Sequence, residues 1–174
     1  MWLKLDLDGI IVSLRIRQYV KTNKNNWDFA WCNVDFAFIS EPWLNYVKED
    51  DELLLSHEVD NLSNMLEKLL NNKLFAPAEF DCVEPDFCFK FNPKENMKIN
   101  SDYECGGQDY KIEDVSLEWR IFFWLSGIIT DSYLSVSLGR FDIECFLTYL
   151  KLVTGQLFES DAQVQKLIAQ GIIY

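Results

Sequence analysis

The sequence predicts an α+β fold: an antiparallel β-sheet of hairpins and meanders, in one layer or two, covered by two or three amphipathic helices. Three observations carry this. Several stretches alternate apolar and polar residues with the period of a strand, most plainly residues 115–125. Asp8-Gly9 stands between two such stretches, a strong short-range signal of a hairpin. The stretches that begin at Ser56, Phe141 and Ser160 instead space their apolar residues by three and four, which is one face of a helix. The chain of 174 residues is expected to form one domain, with residues 156–174 a helical extension of it.

Taken in order, residues 2–7 and 10–17 read as strands around Asp8-Gly9. The same LDLDGIIVS stretch resembles the nucleophile motif of haloacid-dehalogenase-type phosphatases, but Ile10 stands where that motif has Thr. A helix should follow the motif, whereas Ile10, Val12, Leu14 and Ile16 alternate as a strand, so the hairpin is preferred. Residues 21–26 are a polar turn. Residues 27–39 alternate with a change of phase that places a bulge near Cys32–Val34. The charged run at residues 48–52 is expected to be a solvated loop, with Leu53, Leu54 and Leu55 leading as a short strand into a helix.

That helix carries Val59, Leu62, Met65, Leu66, Leu69 and Leu70 on one face, with Ser56 as N-cap, Glu58 in the first turn and Asn71-Asn72 at the exit. Beyond it, a strand opening on Glu84-Pro85 bears Phe87, Phe89 and Phe91 on one side. Residues 92–108 read as loop with a short strand near residues 97–99. In the strand at 115–125, Val115, Leu117, Trp119, Ile121, Phe123 and Leu125 share a face, and Phe122 and Trp124 make its far end apolar on both sides. Residues 127–131 are expected to turn, and residues 133–138 to form another strand. A helix at 141–154 ends at Gly155 in a left-handed cap, and a shorter one follows a Ser160/Gln163 capping box and stops at Gly171. The apolar tail Ile172-Ile173-Tyr174 is expected to dock on the body or on a second subunit.

Composition bounds the function. Hydrophobic content of 49% and aromatic content of 15% exclude disorder as the main state. No run approaches the roughly 18–20 apolar residues of a membrane span, and MWLKLDLDG lacks the marks of a signal peptide, so a cytoplasmic location and no membrane partner are expected. Sixteen basic against 28 acidic residues give a net charge of −12, which argues against nucleic acid and suits either a basic protein partner or solubility alone. The five cysteines include no Cys-x-x-Cys pair; Cys82, Cys88 and Cys145 read as small buried hydrophobes, and neither a disulfide framework nor a metal or other cofactor is expected.

Little in the sequence points to catalysis. His57 is the only histidine, so nucleophilic machinery of the Ser/His or Cys/His kind would have to use it, and its place at a helix start suits a local hydrogen bond better. Glu79, Asp81, Glu84 and Asp86 alternate along an extended segment. On one side of a strand they could hold a hard cation or flank a glycosidic bond; as a solvated edge they would discourage strand aggregation, the reading preferred here.

The order of elements and four stretches carry a resemblance: residues 27–38, 53–72, 79–91 and 137–153. Together they are similar to the WapI-like immunity proteins of bacterial contact-dependent toxin systems. In that family a Trp-containing strand precedes a helix beginning around a Glu, then a strand of the Phe-x-Glu-Pro-x-Leu-x-Phe kind, a further strand and a helix. The corresponding residues are Trp31, Glu58, Phe80, Glu84, Pro85, Phe87 and Phe89. The resemblance implies a cytosolic protein that binds and neutralises a cognate toxin without catalysis, and it assigns no contact residue. The net charge adds that the toxin is basic, and the exposed acids Glu49, Asp50, Asp51 and Glu52, then Glu79 and Asp81, are the expected contacts. The alternatives are a non-catalytic oligomer associating through the apolar tail, and a carboxylate- or metal-dependent hydrolase.

Overall fold

The computed structural model describes residues 1–21, 30–94 and 114–174. Within them lie β1 (Leu3–Leu7), β2 (Ile10–Arg17), β3 (Trp31–Ser40), β4 (Leu44–Leu55), α1 (Ser56–Leu70), β5 (Ala78–Asp81), β6 (Phe87–Asn92), β7 (Ser116–Leu125), β8 (Ile128–Leu138), α2 (Arg140–Val153) and α3 (Ala162–Ala169). The strands form two four-stranded antiparallel sheets, each a meander: β1-β2-β3-β4 and β5-β6-β7-β8. The α+β class is as the sequence predicts. The expected strand near residues 97–99 and the polar turn at 21–26, save its first residue, lie outside the described residues.

Two hairpins show how local chemistry sets the register. Asp8 and Gly9 both take positive φ, 53° and 89°, and Asp6 Oδ1 accepts the Gly9 N–H at 3.0 Å. That is the backbone of a two-residue primed turn, whose twist matches the flanking strands. Ser126 and Gly127 repeat it at φ 53° and 78°. The turn expected over residues 127–131 is therefore shorter, and Ile128 and Ile129 already belong to β8.

The chain corrects other expectations. Residues 48–52 are not a loop but the middle of β4, because the apolar residues Leu44, Tyr46 and Leu53 to Leu55 on either side already commit the backbone to pairing with β3. The irregularity expected near Cys32–Val34 is there, but the inserted residues lie in β4: Cys32 pairs with Leu54 and Asn33 with Glu52, then Val34 with Asp51 and Phe36 with Lys48. Cys32, Val34, Phe36 and Phe38 keep a single inward phase. Glu84-Pro85 lies in the turn before β6 rather than opening the strand, which suits a proline without a donor. The N-cap of α1 is Leu55, not Ser56, and that of α3 is Asp161, not Ser160.

Both sheets give one face to a shared core that α1 and α2 complete. Trp119 is its centre. The fully buried ring lies 5.5 Å from Phe38 of the first sheet, 5.3 Å from both Phe87 and Phe89 of its own, and stacks on Phe146 of α2 at 5.5 Å. Edge-to-face and stacked pairs of this kind add about 0.5–1.5 kcal/mol each beyond area burial. Buried Tyr149 ties α2 to the first sheet, its hydroxyl accepting the Ile16 N–H at 2.8 Å. The tail docks on the body: Trp2 and Lys4 donate to the Tyr174 and Ile172 carbonyls at 2.7 Å, and Ile173 is fully buried beside Leu3.

Candidate functional site

All six acids singled out from the sequence lie on edge strands. Glu49, Asp50, Asp51 and Glu52 are on β4, the outer strand of the first sheet, and Glu79 and Asp81 are on β5, the outer strand of the second. Charged side chains on an edge prevent another strand from adding there, so a purely structural role is available to them. Their surroundings separate them.

Asp50 is held in place. It adopts φ 58°, a conformation that Asp tolerates better than most residues. The irregularity in β4 swings its N–H onto Asp35 Oδ1 at 2.8 Å, and its carboxylate takes bonds from Arg17 at 2.8 Å and Asn33 at 2.7 Å. Asp35, 3% exposed, is the hub of this network, bound also by Arg15 Nε at 2.6 Å and Arg17 at 2.9 Å. Burial pushes the Asp35 pKa up, but the Asp50 N–H and the two guanidinium groups outweigh it and hold the carboxyl below the usual range. Asp51 meets Lys48 at 3.5 Å, Glu79 meets Arg120 at 3.6 Å, and Asp81 lies against the Cys88 thiol. Glu49 and Glu52 are exposed and make no ion pair among the described residues.

The two sheets meet beside this strand in a corner that the sequence did not reveal. Lys48 reaches from β4 to Asp86 Oδ1 at 2.6 Å, and its ammonium sits 5.0 Å from the Trp124 ring. Asp86 is 1% exposed, and burial raises its pKa against the pull of Lys48. Lys48, Asp51, Glu52, Leu53, Glu84, Asp86 and Trp124 line an open depression of about 200 Å³. Buried Glu58 holds the corner together: its Oε2 accepts the Leu55 N–H and its Oε1 the Val83 N–H, both at 2.7 Å. One carboxylate thus caps α1 and pins the β5–β6 turn to it. The first-turn position of Glu58 was visible in the sequence, but its capping bond to Leu55 and its second bond, across 25 residues, were not.

The four acids that alternate in the sequence from Glu79 to Asp86 do not share one strand. Glu79 and Asp81 lie on β5, Glu84 is in the following turn, and Asp86 is buried on Lys48. Among the described residues no three His, Cys, Asp or Glu side chains come together as a metal site. Cys32, Cys82, Cys88 and Cys145 are buried free thiols, and burial raises Cys145 to about 11 and Cys88 to about 12, where a thiolate nucleophile is scarce. No helix among the described residues is long and apolar enough to cross a membrane.

A family model described as the immunity protein WapI-like family matches residues 3–157. No curated protein and no solved structure matches the chain.

Proposed function

The chain belongs to the WapI-like immunity protein family, and on that premise we propose that it binds a cognate protein toxin and neutralises it by occupying the toxin's surface, without catalysis, in the cytoplasm. Family membership points to toxin neutralisation; the observation that supports a basic partner is the net charge of −12 together with Glu49 and Glu52, which make no ion pair among the described residues, on an exposed edge strand. Acids without an internal partner give up no intramolecular bond when a basic side chain approaches, and their field accelerates encounter. The contacts are assigned to Glu49, Asp51 and Glu52 first, then to Glu79 and Asp81. Asp50 is a scaffold residue whose bonds to Arg17 and Asn33 fix the strand irregularity.

The oligomeric alternative drew on the apolar tail and the Trp-rich strand faces; of the tail, Ile173 is buried within the chain itself and Tyr174 is exposed. The test is the affinity of the purified chain for its toxin domain, sought as the C-terminal domain of a secreted protein encoded beside it. The double variant Glu49→Lys/Glu52→Lys is expected to bind about tenfold or more weakly at low salt, with the difference shrinking as salt rises. Equal affinity of variant and parent at low salt would remove β4 from the interface.

A further inference from the structure

The edge of a sheet offers unpaired backbone N–H and C=O groups to any strand that fits, and folded chains guard their edges. Three of the four edges formed by the described residues are guarded. Along β1 the tail stands in for a strand, with Trp2 and Lys4 donating to the Tyr174 and Ile172 carbonyls. Along β4 lie the acids Glu49, Asp50, Asp51 and Glu52, and Asp50 sits at φ 58° where the ladder is irregular. β5 is only four residues long and exposes Glu79 and Asp81.

The fourth edge, β8, differs over its second half. Residues 130–132 stand against Phe123 alone, and Thr130 Oγ1 donates to the Phe123 carbonyl at 2.8 Å. From Tyr133 to Leu138 the strand then pairs with β7 residue by residue and contains no charge, proline or glycine. Every second residue of such an edge turns its N–H and C=O outward. Among the described residues these groups meet no backbone partner beyond β7, and β1 runs near the strand without bonding to it. Tyr133, Ser135 and Ser137 are exposed on the solvent face. Leu134 and Val136 lie on the core face, opposite Ile121 and Trp119, and Leu134 is only half-buried.

We propose that the chain self-associates by pairing β8 with β8 of a second copy, antiparallel about a two-fold axis at Ser135, so that the second sheet continues across the interface as eight strands. Charge selects this edge for a second copy. Each chain carries −12, and copies meeting at β4 or β5 would set acid against acid. At β8 they meet across an uncharged stretch, and Glu118 on the neighbouring strand is already bonded by Arg120 and Ser135. The strand is also complementary to itself. With Ser135 facing Ser135, Tyr133 stands opposite Ser137 and Leu134 opposite Val136, so apolar meets apolar on the core face and the half-buried Leu134 is covered. Moving the axis one residue forward draws in Gly139, where α2 begins, and one residue back draws in the irregular Ser132. Both β4 strands stay free, so the dimer presents two acidic edges, and the pairing does not depend on toxin binding.

The test is sedimentation of the purified full-length chain across concentration and salt. The expected result is a reversible monomer–dimer equilibrium that tightens between low salt and about 0.5 M, as screening relieves the repulsion of two acidic chains. Binding of a basic toxin has the opposite salt dependence. Ser135→Lys and Ser135→Asp, at an exposed position, should each weaken the dimer about tenfold or more, because the axis sets like charge against like. An equimolar mixture of the two variants should recover a mixed dimer. In the unaltered chain, amide exchange along residues 133–137 should slow as concentration rises, a readout that needs no variant. A chain that stays monomeric up to about 0.5 mM overturns self-pairing and leaves the edge to a foreign strand. A dimer that both variants leave intact, a mixture that stays monomeric, or slowed exchange confined to another edge would overturn the assignment to β8.

Discussion

Replacing Glu58 by alanine tests the corner most severely. The side chain is 2% exposed and accepts two backbone N–H groups, from Leu55 and Val83, at 2.7 Å each. Alanine leaves both donors without an acceptor, and because Leu55 is itself buried, water reaches it poorly. At about 1–3 kcal/mol for the unsatisfied buried Leu55 donor, and less for that of Val83, a residue 60% exposed, Glu58→Ala is expected to lose about 2–4 kcal/mol. Against a typical total of about 5–15 kcal/mol, that is a large fraction of the stability. Glu58→Gln keeps one carbonyl oxygen for one of the two donors and should lose roughly half as much. Urea unfolding followed by circular dichroism at neutral pH gives the midpoints and slopes, and hydrogen exchange at Leu55 and Val83 reports the two bonds. The bridging role is refuted if Glu58→Ala loses less than about 1 kcal/mol, or if Val83 exchange is unchanged.

Three further outcomes follow from the same geometry. Asp35 has its folded-state pKa depressed, so the stability it confers is present above its unfolded value of about 4 and is lost as pH falls below that. Asp35→Asn should therefore be less stable at neutral pH and show a shallower loss below about pH 4, measured by urea midpoints across pH; parallel curves would contradict it. Ile173→Ala should cost about 2–4 kcal/mol, because the side chain is fully buried against β1, and a loss under about 1 kcal/mol would mean the tail is not docked in solution. Treating the whole chain as one domain, heat unfolding should give a single cooperative transition; two separated transitions in calorimetry would divide it.

Much of the fold was legible because strand and helix periods are local. The alternation of residues 115–125, the Asp8-Gly9 turn and the apolar stripe from Val59 to Leu70 each specify an element without knowledge of the rest. The misreadings share one cause, which is that a long-range partner overrode the local pattern. Residues 48–52 look like a solvated run, yet β3 pairs with them and Asp35 and Asp86 absorb two of their charges' neighbours, the Asp50 N–H and the Lys48 ammonium. Gly127 marked a turn, and Ile128-Ile129, unusually apolar for a turn, were the sign that the turn ends with it. They face no core; both are exposed. The acids of the candidate site were legible as charge, but which of them are spoken for was not, since Arg17, Asn33 and Arg120 reach them across strands.

The most direct measurement of neutralisation is a stoichiometric titration of active toxin domain with the purified chain, at toxin concentrations well above the dissociation constant. Binding without catalysis gives toxin activity that falls linearly to a break at a fixed molar ratio near equivalence, and competition by an inactive variant toxin restores activity. Full inactivation by a small fraction of an equivalent, persisting after the chain is removed, would show turnover and contradict the proposed role.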